Sequence, residues 1–194
     1  RSCRTVWNGA QQSKNLATNQ YQINSIDTWI KELAWREFYQ HALLNFPELE
    51  KGPYRVKWLN FPWQYNPDWF DAWENGLTGI PIIDASIRQL KNSGWMHNRC
   101  RMIVASFLVK DLLIDWRWGE KFFMKNLVDG DLASNNGGWQ WSASSGMDPK
   151  PMRIFNPFRQ ATKFDENGNY IRKWIPELSN VSTNDLLSGE ISSF

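Results

Sequence analysis

Cysteine and long apolar runs are both scarce in this chain. Only two cysteines, Cys3 and Cys100, occur among 194 residues, which is too few for a disulfide framework. We interpret them as reduced thiols of an intracellular protein. The longest apolar stretch, Met102 to Ile114, is interrupted by Lys110 and Asp111. No segment is therefore suited to span a bilayer.

A signal peptide and a strong excess of one charge are also missing. The opening residues, RSCRTVWNGAQQ, lack the apolar core of a signal peptide. With 22 basic and 20 acidic side chains the net charge is +2, so composition alone does not indicate a nucleic-acid-binding protein. Any basic face must come from where the charges lie. We expect a soluble, cytoplasmic protein that does not bind membranes.

The common nucleotide, nucleophile and metal motifs are absent as well. The sequence holds no Gly-x-Gly-x-x-Gly or Walker pattern, and no Ser or Cys nucleophile beside a matching base. Asp129-Gly-Asp131 resembles half of a calcium loop, but amides and a glycine pair follow it instead of further ligands. We therefore predict no metal site.

Tryptophan, by contrast, is abundant, with 13 residues in the chain. Its large ring usually fills a core, and we assign about half of the tryptophans to that role. The others need separate explanations. Several of them lie close in sequence to polar groups between Gly94 and Trp141.

This segment, from Gly94 to Trp141, predicts a binding site for a planar ring. It opens with His97-Asn98-Arg99 and closes with two carboxylates, two amides, two glycines and Trp-x-Trp. Carboxylates, amides and arginine can satisfy the polar edge of a heterocycle, and glycine lets the backbone approach it closely. We interpret the segment as a flavin site in a protein that transfers single electrons.

Apolar residues at three-and-four spacing predict helices throughout. The opening residues 1–24 are polar and indicate a loop or a frayed helix. Helices are expected from Ser25 or Asp27 to Pro47, then over 67–76, 81–94, 96–114 and 116–127, with loop and short helix after Gly130. No alternating run predicts a strand. The predicted fold class is therefore all-α, and the apolar face of the first helix comprises Ile26, Ile30, Leu33, Ala34, Phe38 and Ala42.

The opposite face of that first helix has two interpretations. It carries Glu32, Trp35, Arg36 and Tyr39. They form either a solvated face with a Glu32–Arg36 pair or a stacking platform for a planar base. Both interpretations fit the residues.

Two arginines lie near the start of a later predicted helix. Arg99 and Arg101 oppose the positive end of the helix dipole, so we expect each to have an anionic partner. Phosphates and the pair Asp129 and Asp131 are the candidates. We interpret His97 as a hydrogen-bonded structural residue.

Six motifs together resemble the photolyase/cryptochrome family, and within it the class I cyclobutane pyrimidine dimer photolyases. The similarity extends from about Ile26 to Leu178. It implies a helical FAD-binding domain and light-driven repair of pyrimidine dimers in DNA, a carbon–carbon lyase reaction that uses an electron from reduced FAD. The motifs are ELAWREFY (Glu32 to Tyr39), TGIPIIDASIRQL (Thr78 to Leu90), GWMHNR (Gly94 to Arg99), ASFLVKDLLIDWRWGE (Ala105 to Glu120), DGDLASNNGGWQW (Asp129 to Trp141) and RIFNP (Arg153 to Pro157).

The resemblance also implies roles for individual residues. The residues implied to contact FAD are Trp29, Trp95, Asn98, Arg101, Asp129, Asp131 and Asn135. The residues implied to pass an electron to the flavin are Trp139, Trp116 and Trp63. The residues implied to bind damaged DNA are Glu32, Trp35, Arg36, Asn98, Arg99, Met102, Trp141 and Gln160.

Two features favour repair over light sensing. Asn98-Arg99 resembles the form found in dimer photolyases, and Asn135 resembles photolyases more than plant cryptochromes. The alternatives are a cryptochrome-like blue-light photoreceptor that uses the same tryptophans, and an inactive helical fragment without FAD.

The resemblance implies that the chain is part of a larger protein. Residues 1–194 are expected to be a partial FAD-binding domain, incomplete at both ends. The antenna domain with its chromophore, and the segment that grips the flavin diphosphate, are expected to lie outside it. Apolar surface left by those segments is expected to promote self-association.

Overall fold

Helices form the regular elements of the computed structural model, which describes residues 2–147 and 152–189. The β-type contact among these residues is an isolated parallel bridge between Gln64 and Ile114. The all-α prediction is confirmed for this part of the chain. No described helix has both the length and the apolar character that crossing a membrane requires.

The chain divides into two compact units, and the first is Arg1–Lys51. Helix α1 spans Cys3–Asn15 and helix α2 spans Gln20–Asn45, followed by a 3-10 turn at Pro47–Glu50. The two helices pack against each other. Lys14 Nζ lies 2.6 Å from Asp27 Oδ1 and links them by an ion pair.

The structure corrects the prediction for residues 1–24. Of the described residues, 3–15 form α1 and 20–24 form the start of α2, instead of a loop or frayed helix. Ser2 Oγ accepts a hydrogen bond from Thr5 N at 3.2 Å, and Asn19 Oδ1 accepts one from Gln22 N at 3.0 Å. Such caps and the packing of two helices stabilise a polar segment in ways that apolar spacing does not show.

The predicted apolar face of α2 is only partly buried. Leu33 and Ala42 are buried, but Ala34 is exposed and Phe38 is 42% exposed. The helix therefore keeps aromatic surface on more than one side, a feature that matters for the candidate site.

The second unit, Gly52–Phe194, contains the remaining helices. Proline begins three of these α-helices and left-handed glycines end three. The sequence predicts this for the helices that start at Pro67 and Pro81. The helices are α3 (Pro67–Asn75), α4 (Pro81–Ser93), α5 (Asn98–Ser106), α6 (Trp116–Asn126), α7 (Leu132–Ser142), α8 (Pro157–Phe164), α9 (Asn169–Trp174) and α10 (Thr183–Ser188). Short 3-10 turns lie at Val56–Trp58 and Pro176–Leu178.

Helix α4 lies at the centre of this unit. Its residues from Pro81 to Leu90 are buried except for Arg88, as expected of a core helix. It packs against α3, α5 and α9. Asp84 in its first turn accepts hydrogen bonds from Thr78 N at 2.8 Å and Gly79 N at 2.9 Å, and burial raises the pKa of its carboxyl group. These bonds fix the turn that leads into the helix.

The helix predicted over 96–114 is divided. Helix α5 is followed by a π-helical turn at Phe107–Asp111, and the chain then turns through Leu113, whose φ is 54°. Gln64 N donates a hydrogen bond to Leu113 O at 2.8 Å. This break brings the segment around Trp63 to the start of α6, and π-helical turns often occur near functional sites.

Candidate functional site

Arg101 and Asp129 form an ion pair between α5 and the loop after α6. Nη2 of Arg101 lies 3.0 and 2.9 Å from the two carboxylate oxygens, and Nε donates to Met96 O at 2.8 Å. Arg101 therefore has the anionic partner that its position at a helix N-terminus predicts. The side chains are 25% and 47% exposed, so the pair is held in place and remains accessible to a ligand.

Asp131 caps α7 close to this pair in sequence. Its Oδ1 accepts from Ser134 N at 2.9 Å and its carbonyl accepts from Asn135 N at 2.8 Å. The dipole of α7 favours a carboxylate at this end. The Asn135 side chain donates Nδ2 to Glu120 O at 3.0 Å. The structure thus holds Asp131 and Asn135 one turn apart with ordered side chains.

The glycine pair that follows lies in the region predicted as loop and short helix. Gly137 and Gly138 lie inside α7. A Cβ at Gly138 would meet no atom within 4 Å, so this glycine leaves open space on the helix surface.

The start of α5 holds Asn98 and Arg99. His97 Nδ1 accepts a hydrogen bond from Arg99 N at 3.0 Å and caps the helix, which is the structural role predicted for it. The Arg99 guanidinium lies 4.7 Å from the centroid of the Phe164 ring. No carboxylate of the described residues pairs with Arg99. Carboxylates and phosphates were the two predicted kinds of partner for Arg99, so a phosphate remains the candidate.

Two further predicted site residues flank this helix start. Trp95 is 44% exposed and meets the His97 ring edge-on at 6.2 Å. Met102 lies one turn after Asn98 and is partly buried. Both are therefore adjacent to α5 residues assigned to ligand contacts.

Trp141 at the end of α7 is framed by the segment before α8. Its ring lies 5.9 Å from that of Phe155 and 5.8 Å from the guanidinium of Arg153. Phe155 N donates to Ser106 Oγ at 3.2 Å and anchors the segment to α5. On α8, the buried Oε1 of Gln160 has no hydrogen-bond partner among the described residues. Such an atom is unfavourable without a ligand.

Gly119 of α6 makes room for the buried Trp139. A Cβ at Gly119 would lie 2.1 Å from Cη2 of the Trp139 ring. The ring is 2% exposed, and its Nε1 has no hydrogen-bond partner within the described part of the chain. Its aromatic neighbours are Phe123 at 5.0 Å and Trp73 at 6.1 Å. Trp139 is therefore fixed against α6.

The other two tryptophans predicted for electron transfer lie on connected segments. Trp116 begins α6, one turn before Gly119, and is 2% exposed. Trp63 is partly exposed and precedes Gln64, whose hydrogen bond reaches Leu113, just before α6. The Gln64–Leu113 hydrogen bond thus holds the segment of Trp63 next to the residues that precede Trp116. A continuous path through the three rings stays a prediction.

In the first unit, α2 carries the aromatic members of the site predicted there. Trp29 is 49% exposed and Trp35 is 54% exposed. The Trp35 ring stacks on Tyr39 at 6.0 Å with 28° between the planes, and it meets Phe38 edge-on at 5.6 Å. The helix therefore presents a preformed aromatic group.

The charged side chains of that face do not form the ion pair that the solvated-face interpretation includes. Arg36 Nε lies 3.9 Å from Glu37 Oε1, and no pair with Glu32 occurs among the described contacts. The predicted Glu32–Arg36 pair is therefore wrong. Glu32 is exposed and has no ion-pair partner among the described residues, so the solvated face and the stacking platform both remain interpretations of this helix face.

Comparison with protein families shows which family this chain belongs to. The model of the FAD binding domain of DNA photolyase matches residues 29–191. This chain belongs to that family. The match begins within α2 and includes α3 to α10, so both units contribute to the family's domain.

Relatives in this photolyase family include a protein from Synechococcus sp. that is named deoxyribodipyrimidine photo-lyase. The two sequences are 61% identical over 189 residues, which cover 97% of this chain and 39% of the relative. The crystal structure of a class III photolyase from Agrobacterium tumefaciens aligns with a TM-score of 0.91 at 44% identity, covering 100% of this chain and 39% of that one. A cryptochrome from Synechocystis sp. aligns with a TM-score of 0.90 at 34% identity, with the same two coverages. The chain thus spans about two-fifths of the length of these relatives.

Two basic residues near the site were missed in the sequence. Arg153 lies in the RIFNP motif and faces Trp141. In the sequence, the feature that could have indicated this residue is an arginine directly before two apolar residues. Lys110 interrupts the apolar run of 102–114, and its Nζ donates a hydrogen bond to Ser144 Oγ. Burial lowers the pKa of Lys110. Arg153 thus contacts Trp141 directly, and Lys110 holds Ser144, three residues after it.

Proposed function

We propose that this chain provides flavin-binding and lesion-binding residues of a DNA photolyase that repairs cyclobutane pyrimidine dimers under blue light. The observation that carries the proposal is the Arg101–Asp129 pair beside the capped start of α7, in a chain that shares the photolyase FAD-binding domain. The curated relatives are named deoxyribodipyrimidine photo-lyase.

The described residues fit the polar edge of a flavin ring. Asp129 and Asp131 offer acceptors, and Arg101 offers donors. Asn135 Nδ2 uses one of its two N–H donors on Glu120 O, so its second N–H and its Oδ1 can form hydrogen bonds with a ligand. The buried Nε1 of Trp139, which has no hydrogen-bond partner among the residues that the structure describes, could also donate to such a ligand. FAD, when bound and reduced, would supply the light absorption and the electron for repair.

The tryptophans prepare the cofactor for that reaction. With FAD bound, Trp139 would donate an electron to the oxidised flavin under light, Trp116 would then reduce Trp139, and Trp63 would reduce Trp116. Trp139 and Trp116 are buried, which keeps water from the charge in transit, while the partly exposed Trp63 can be reduced again from solution.

The lesion-binding residues of the two units have different tasks. On α2, Trp35 offers a ring for base stacking, with Glu32 and Arg36 as polar neighbours. In the second unit, Trp141 offers another ring and Gln160 an unsatisfied acceptor. A damaged base must leave the helix to reach such groups, which is easier for a lesion that already stacks poorly.

The start of α5 has the remaining contacts of this proposal. Asn98 and Met102 would contact the damaged bases. Arg99 has no carboxylate partner among the described residues and would bind a flanking phosphate. We further propose that the protein acts inside the cell, where its DNA lies. Its exposed apolar side chains, such as those of Val128 and Leu77, would favour self-association.

Repair of a defined lesion tests the proposal. The whole flavin-loaded protein is mixed with an oligonucleotide that contains one thymine dimer, and restored thymines are counted after blue light and after darkness. We expect restoration under light alone. Light-driven flavin reduction without repair would instead support a photoreceptor, as in the cryptochrome relative. A protein that binds no flavin would contradict both functions.

A further inference from the structure

One aromatic ring at the end of α8 carries two cations. The Arg99 guanidinium of α5 lies 4.7 Å from the centroid of the Phe164 ring, and Lys163 Nζ lies 5.4 Å from the same centroid. Both distances are within the range in which the negative face of a ring attracts a cation. Phe164 is 50% exposed. This ring therefore lies at the surface, and filling the core is not its main role.

Neither cation has an acidic partner among the residues that the structure describes. The acid nearest to them in sequence is Asp165. Its carboxylate is turned into the start of α9, where it accepts hydrogen bonds from Tyr170 N at 2.9 Å and Ile171 N at 3.0 Å. The two positive charges on the ring therefore lie within about one Debye length of each other. An anion beside the ring would relieve their repulsion.

An aromatic ring holds an arginine in a different way from a carboxylate. A carboxylate would occupy N–H groups of the guanidinium and neutralise its charge. A ring face leaves the charge in place and the planar edge of N–H donors available. The contact also restricts the rotamers of a long side chain before a ligand binds, so binding costs less entropy. An arginine held in this way is suited to a phosphodiester of DNA.

We propose that Phe164 is a positioning residue, which holds Arg99 and Lys163 ready for a phosphate of the DNA strand. The inference rests on the proposed function, because that function supplies the DNA. Phe164 need not touch the DNA itself, since it acts through the two cations. Weakening the negative face of the ring should therefore weaken DNA binding even when the size of the ring is kept.

Fluorinated phenylalanines at position 164 test the electrostatic role of the ring. One, two or three ring fluorines remove negative charge from the ring face in steps, while the size of the ring changes very little. The whole flavin-loaded protein is titrated with undamaged duplex, and binding is followed by fluorescence anisotropy. The affinity should fall with each fluorine and should be about 3- to 10-fold lower with three.

The same fluorinated series at position 158 is the matched control. Phe158 belongs to the same helix, and no cation of the described residues lies over its ring. Fluorination there should leave the affinity for DNA unchanged. An affinity that does not change along the series at position 164, or equal decreases at both positions, would overturn the proposal.

Substitutions test the connection between the ring and Arg99. Phe164→Leu should weaken damaged and undamaged DNA alike and reduce the slope of log affinity against log salt, whereas Phe164→Tyr, which keeps a ring face, should behave like the wild type. In an Arg99→Ala background, Phe164→Leu should have a clearly smaller effect, because part of its effect passes through Arg99. Equal losses in both backgrounds, or an unaltered salt slope in Phe164→Leu, would show that the ring has only a structural role.

This proposal and the repair function fail in different ways. If fluorination at position 164 weakens DNA binding but the protein restores no thymines under light, the repair function is wrong and the role of Phe164 stands. If the protein restores thymines but the fluorinated series leaves DNA affinity unchanged, the role of Phe164 is wrong and the repair function stands.

Discussion

Gly119 controls the position of Trp139. Its missing side chain admits the indole, since a Cβ would lie 2.1 Å from Cη2. We expect Gly119→Ala to lower the free energy of unfolding by about 1–3 kcal/mol, because an overpacked core must shift. Urea denaturation measures this change.

Gly138→Ala is the matched control for that substitution. Gly138 is also a helical glycine, but a Cβ there would meet nothing within 4 Å. Alanine should raise the free energy of unfolding by roughly 0.5–1 kcal/mol through its helix propensity. Equal effects of the two substitutions would show that Gly119 is not a packing requirement.

Trp35 belongs to the lesion-binding side of the proposal. Stacking on an aromatic contributes about 1–3 kcal/mol per base, so Trp35→Ala should weaken binding of dimer-containing DNA by about 10- to 100-fold. Undamaged duplex should be almost unaffected, because its contacts are to phosphate. Fluorescence anisotropy with both DNAs measures the difference.

Trp7→Ala provides the control, since Trp7 is an exposed tryptophan of the same unit, 46% exposed against 54% for Trp35. It should leave both affinities unchanged. If Trp35→Ala weakens damaged and undamaged DNA equally, the aromatic group on α2 is structural.

At the level of elements, Asp131 at the start of α7 is assigned both a structural and a ligand-binding role. Asp131 caps the helix through Ser134 N and is also assigned to the flavin. Asp131→Ala should lower stability by about 0.5–2 kcal/mol, whereas Asp131→Asn should keep the cap. Thermal denaturation distinguishes the two variants. A stability loss of the same size in Asp131→Asn would show that the charge, and not the cap, stabilises the helix.

Helix boundaries were predictable where proline and glycine mark them. Pro67 and Pro81 begin α3 and α4, and Gly76 and Gly94 end them in left-handed conformations. The polar opening of the chain was not predictable, because α1 depends on a cap and on packing against α2. The division after α5 was also missed, since Phe107, Leu108 and Val109 of the π-helical turn continue the apolar pattern of α5.

At the level of the whole molecule, contacts between distant segments carry the candidate site. Arg101 and Asp129 are 28 positions apart in sequence. The sequence predicts that Arg101 pairs with an acid, either Asp129 or Asp131. The fold shows that Asp129 is the partner. The same reasoning was incomplete for Arg99, because a cation facing the Phe164 ring leaves no trace in sequence spacing.

Because the net charge is only +2, any DNA binding must depend on where individual basic side chains lie. If Arg99 binds a phosphate, Arg99→Ala should weaken damaged and undamaged DNA alike and reduce the salt dependence of log affinity by a slope of about 1. Titrations at several salt concentrations measure the slope. Lys173→Ala, at an exposed lysine of α9, should leave it unchanged. An unaltered slope in Arg99→Ala would exclude a phosphate contact.

Flavin affinity tests the candidate site most directly. The whole protein, stripped of cofactor, is titrated with FAD in wild-type, Arg101→Gln and Asp129→Asn forms, with Glu177→Gln as a control at a different ion pair. A hydrogen bond to a charged group contributes about 1.5–3 kcal/mol, so each site variant should bind FAD roughly tenfold or more weakly. Glu177→Gln should bind like the wild type. Unchanged affinity in both site variants would show that the flavin does not bind at the Arg101–Asp129 pair.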